Sequence, residues 1–97
     1  MASTENDFVQ PATTVYMGNA PQAGVFYVSR NVPTNYFVAT GERMKNGKYV
    51  MHMHDVHCGP RKKVVRVGVD SHWFAQLKRA EIVPGRVHAL LTAALVK

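Results

Sequence analysis

Ninety-seven residues, 46% hydrophobic and 19% charged, describe one small folded domain and exclude both a disordered chain and a two-core protein. With a single cysteine, Cys58, no intrachain disulfide can form, so stability has to come from burial. The formal charge of +6 is uneven: before Arg30 only Glu5 and Asp7 are charged, whereas Arg43 to Arg86 holds ten basic residues against Asp55, Asp70 and Glu81, a bias that suits an anionic partner.

Residues 1 to about 12 are small and polar, without periodicity. Thr13 to Met17 is a possible short strand, and Gly18-Asn19 and Pro21 follow it. Residues 1–23 are therefore expected to be a flexible N-terminal arm, and residues 24–97 a single domain. The acidic opening lacks the cationic start and apolar stretch of a secretory leader. No apolar run approaches the roughly 20 residues that span a bilayer. A cytoplasmic protein is expected, in the host cytoplasm or the virion if the chain is viral.

Val25 to Arg30, rich in β-branched and aromatic residues, predicts a strand, and "NVPTN" a loop. "YFVATGERMK" and "KYVMHMHDV" flank Asn46-Gly47, a pair suited to a two-residue type I′ hairpin turn. "CGP" then turns the chain into "RKKVVRVGVD", an alternating strand. After Val69 the period changes. Asp70 or Ser71 is a plausible N-cap for a helix carrying Trp73, Phe74, Leu77 and Ala80. Pro84-Gly85 interrupts, and Val87, Leu90, Leu91, Ala94 and Leu95 then fall on one helical stripe. The expected fold is α+β: a four-stranded antiparallel meander with two C-terminal helices packed on one face.

A two-residue turn at Asn46-Gly47 sets Lys45 opposite Lys48 and Met44 opposite Tyr49. One face then carries Val38, Thr40, Met44, Tyr49, Met51 and Met53 and is the expected core side. The other carries Arg43, Lys45, Lys48, His52 and His54, with Phe37, Ala39 and Val56 at its far end. On the next strand Lys62, Val64, Arg66 and Gly68 alternate with Lys63, Val65, Val67 and Val69. An open basic sheet surface is expected, with Arg43, Lys45, Lys48, His52, His54, Arg61, Lys62, Lys63 and Arg66 as candidate nucleic-acid contacts. Gly68 would let a strand of nucleic acid approach.

The stretch His52 to Cys58 gathers three histidines, an aspartate and the cysteine. A His-x-His pair on a strand can supply two metal ligands. Here, however, it would share its face with Arg43, Lys45 and Lys48, which repel a further cation. "HMHDVH" misses the H-x-H-x-D-H spacing of metallo-β-lactamase-type sites, and no glutamate follows as in a cupin. Cys58 and His57 are neighbours on an extended chain and point apart. No metal, cofactor or enzymatic activity is expected. Nor does "KNGKYVMHM" fit the aromatic-basic signature of an RNA-recognition motif. As a recognition helix, the last segment would offer only Arg86, His88 and Thr92 among alanines.

The expected function is thus a small, non-enzymatic, basic binding protein that contacts nucleic acid without sequence preference. The alternative is a virus-type accessory or structural protein that binds another protein through its arm and the edge of Val25 to Arg30, as a monomer or a homo-oligomer.

Overall fold

In the computed structural model, which describes residues 6–11, 20–57 and 63–96, a two-residue strand β1 (Phe8–Val9) precedes the sheet. The meander follows as β2 (Phe26–Ser29), β3 (Asn35–Arg43), β4 (Tyr49–Asp55) and β5 (Val65–Val69). Next come α1 (Ser71–Phe74), β6 (Leu77–Arg79), β7 (Ile82–Val83) and α2 (Gly85–Leu95). The main sheet is antiparallel, in the order β5-β4-β3-β2-β6, and β1 pairs with β7 in a separate ribbon. The α+β class, the meander and two C-terminal helices against the sheet all match the sequence expectation. The possible strand at Thr13 to Met17 lies outside the described residues.

The hairpin turn differs from the type I′ expectation. Among the described residues only glycines have positive φ, so Asn46 does not take the conformation that type I′ needs. Instead Gly47 N–H donates to Met44 O and Met44 N–H to Lys48 O, closing a three-residue loop with Gly47 at φ +89°. A second irregularity follows in β3. Arg43 faces Tyr49, but the next direct pair is Ala39 with Met51, so Thr40, Gly41 and Glu42 bulge opposite Val50. Thr40 Oγ1 donates to Val50 O and accepts from Glu42 N–H, which ties the bulge down. Gly41 is there because φ is +89° and a Cβ would lie 2.9 Å from that of Ala23.

Together the loop and the bulge slip the pairing by three residues: Ala39 lies opposite Met51 rather than His54. An odd slip exchanges the faces of β3 relative to β4. Phe37 and Ala39 consequently join Met51, with Tyr27, Val69 and Leu77, in one buried cluster. Val38 joins Phe26, Val28, Ala80, Val83, Val87 and Leu91 in another, on the opposite side of the sheet. Both faces are apolar, and each takes a helix. On the first, Trp73 of α1 meets Phe37 edge-on at 5.9 Å and Phe74 meets Tyr27 at 5.3 Å. On the second lies α2, anchored by Val87 and Leu91. The helices do not share one face, as the two-residue turn implied.

The first helix is a single turn. Asp70 caps it as expected, its carboxylate accepting from Trp73 N–H at 2.7 Å. Leu77 to Arg79 then leaves helical geometry to pair with β2. The unfilled backbone groups on that side of β2 reward a strand more than intrinsic propensity rewards another helical turn. For the same reason Val25 to Arg30 is not an edge; β2 sits between β3 and β6.

The N-terminal segment departs most from the expected arm, since residues 6–11 are fastened to the domain. Gln10 is 8% exposed. Its Nε2 donates to Phe26 O and Ala80 O, and its Oε1 accepts from Phe26 N–H. Phe8 stacks on His88 of α2 with ring centroids 4.1 Å apart, and Arg79 donates to the carbonyls of Gln10 and Pro11. The side chain of Gln10 completes the β2 ladder where β6 ends. Replacing it with alanine would strand two buried backbone groups, Phe26 N–H and Ala80 O, while Phe26 O keeps its bond from Ala80 N–H. Gln10→Ala is expected to lower the unfolding free energy by about 2–4 kcal/mol in urea titration, and a loss below about 1 kcal/mol would show that these bonds are dispensable.

Candidate functional site

The exchange of faces redistributes the candidate residues. Arg43 pairs with Tyr49 and so lies on the α1 face. Its guanidinium sits 4.8 Å from the Tyr49 ring centroid and donates to the phenol oxygen at 3.2 Å. It is therefore turned away from the histidines it was expected to accompany. Lys45 is exposed within the turn. Lys48, His52, His54 and Arg66 belong to the α2 face, where His52 is directly paired with Arg66 on β5. Lys63 is exposed just before β5. Arg61, Lys62 and Cys58 lie outside the described residues.

That face is not an open sheet. α2 lies across β3 and β4 and buries His54 to 4% exposure. The imidazole packs beside Tyr36, its cross-strand partner, and its Nδ1 has no hydrogen-bond partner among the described residues. Burial, and next the Arg86 guanidinium, push its pKa below the ordinary histidine value, with Asp55 opposing. His52 is lowered too, by burial first and Arg66 second, against Glu42. Both histidines thus charge at more acid pH than a free imidazole, the reverse of what an easily protonated cationic surface needs. Asp55 accepts the backbone N–H of His57 at 2.8 Å, an Asx-type turn. Among the described residues no three His, Cys, Asp or Glu side chains are grouped as metal ligands.

What the structure does bring together is a groove of about 680 Å³ between the β4–β5 side of the sheet and the C-terminal half of α2. Val50 belongs to its floor, and Leu90 and Ala94 to its helical wall. His52, Lys63 and Arg66 supply its basic groups, and Glu42 is the only carboxylate among its described lining residues. Gly68 does not provide a landing place for a ligand, because Met44 fills the space above it: an added Cβ would lie 2.7 Å from the methionine sulfur. The groove was not anticipated because it needs α2 on the histidine face. The one sequence signal for that was Gly41, a glycine inside a strand pattern, the usual mark of a bulge.

No family model matches the chain, and no curated protein or solved structure matches it either. Among the described residues no helix is long and apolar enough to cross a membrane.

The lowered histidines link stability to pH. The unfolded chain binds more protons than the folded one between the folded pKa values and about 6.5, so their contribution is complete above that pH and is lost as pH falls through the folded values. The urea midpoint is expected to fall from pH 7.5 to pH 5.5, and the double variant His52→Gln/His54→Leu to show a flatter dependence. An identical pH slope in both proteins would remove the histidines from the explanation.

Proposed function

We propose that the protein is a non-enzymatic binding module whose cationic β4–β5 end grips the phosphate backbone of nucleic acid without reading base sequence. The observation that carries this reading is that Lys63 and Arg66 line one groove with His52, which is paired directly with Arg66. Arg61 and Lys62 immediately precede them in the chain. Phosphate contact requires only exposed cations at the spacing of a backbone. Base reading would need free rings to stack on, and the nearby aromatic rings are engaged elsewhere. Tyr49 carries Arg43, and Tyr36 packs against the α2-side core. A protein partner captured by the N-terminal arm has less support, because residues 6–11 are bound to their own domain through Gln10.

Placing Arg43 on the far face sharpens the test. Binding to a labelled duplex of about 20 base pairs should lose affinity with salt, with a log–log slope of about −4 for four to five neutralised phosphates. Lys63→Glu combined with Arg66→Glu should weaken binding at least about tenfold, while Arg43→Glu changes it less than about twofold. Salt-independent association, or equal sensitivity to both sets of substitutions, would defeat the proposal.

A further inference from the structure

The two edges of the main sheet differ in kind. β6 has three residues, and two of them are Lys78 and Arg79; a short, charged edge discourages strand addition. β5, of sequence VRVGV, pairs with β4 in unbroken register from Val69 to Val65. Among the described residues no strand lies on its outer side. It contains no proline, no lysine and no bulge, and Val65 is 49% exposed. Neither helix shields it. α2 lies over β3 and β4, and α1 leads from the end of β5 inward, towards Phe37 and Tyr27.

We propose that β5 pairs antiparallel with β5 of a second copy about a twofold axis, joining the two sheets into one. The strand is complementary to its own reverse. With the axis at Val67, Val67 meets itself, Val65 meets Val69 and Arg66 meets Gly68. Every cation then faces an uncharged residue, and Lys63 comes opposite Ser71, one step from Asp70. Moving the axis one residue earlier sets Arg66 against Arg66, a like-charge pair. Moving it one later sets Arg66 against Asp70, whose carboxylate already caps α1, and takes Val65 out of its apolar pairing. The Val67 register also leaves the two Arg66 side chains on the same face, on either side of the axis. The cationic ends of the two copies therefore abut. This pairing stands apart from the nucleic-acid reading and does not depend on it.

Sedimentation equilibrium of the full chain from about 5 to about 500 µM tests it, because association in that range reports a weak symmetric dimer. A monomer–dimer equilibrium is expected. Val67→Lys, which places two ammonium groups at the axis, and Val65→Lys should each weaken it about tenfold or more, whereas Lys78→Glu on the opposite edge leaves it unchanged. Backbone amides of Val65–Val69 should gain hydrogen-exchange protection as concentration rises. If Val67→Lys fails to fold, Val65→Lys at its half-exposed position decides. A monomer throughout the range, or a dimer unaffected by Val65→Lys in a protein with the parent circular-dichroism spectrum, overturns the proposal.

Discussion

The pairing of β3 with β4 governs the rest of the molecule. Two glycines set it: Gly47, in the left-handed conformation that closes a three-residue loop, and Gly41, at the centre of a bulge no other residue would tolerate. Each shifts the register, and their sum is odd. Phe37 and Ala39 therefore face the same way as Met51, and Val38 the same way as His52. Had the sum been even, the sheet would have had one apolar and one polar face, and both helices would have competed for the former. Instead each face offers an apolar surface. The aromatic turn of α1 closes one side and the Val87/Leu91 stripe of α2 closes the other.

That division explains why His52 and His54 do not lie on an open cationic sheet surface. His54 lies on the strand face that α2 must cover, and the helix brings Arg86 towards it. Burial and that guanidinium both favour the neutral imidazole there, with Asp55 opposing them. One position pair nearer the turn, His52 sits at the margin of the helix, where burial is incomplete and the groove begins. The same side-chain type thus serves as core filling at one position and as groove lining two residues away.

Local chemistry was legible in the sequence; the long-range bookkeeping was not. The alternation of β4 and β5, the place of the hairpin, the Asp70 cap and the α2 stripe all depend on residues within a few positions of one another. All of them appear in the structure. The slip in β3 was hidden because Asn46-Gly47 is compatible with both two- and three-residue loops, and the Gly41 bulge depends on Ala23, far away in sequence. Leu77 fits a helical stripe with Trp73 and Phe74, yet an open side of β2 claims it as a strand. Gln10 reads as an ordinary polar residue in a polar tail. Its role is visible only when Phe26 N–H and Ala80 O are found to take their bonds from its side chain. As to the candidate site, Arg66 of β5 and Lys63 just before it were identifiable, but their separation from Arg43 follows from the slip alone.

The geometry of a single helix also explains where charge can reside on the α2 face. A helix with its side chains is about 10 Å across, and neighbouring strands are about 4.8 Å apart, so one helix covers roughly two strands. α2 is placed over β3 and β4, where Val38 and Val50 are buried. β5 falls outside that width. Its α2-facing positions are Arg66 and Gly68: a cation whose stem lies on the sheet while its head reaches solvent, and a glycine closed over by Met44. On the other face, where the single turn of α1 covers still less, the strand offers Val65 and Val67. An edge strand that is basic on one side, apolar on the other and uncovered by either helix satisfies its own domain only in part. Its remaining backbone groups and its two valines find their best complement in a strand with the same pattern running the opposite way.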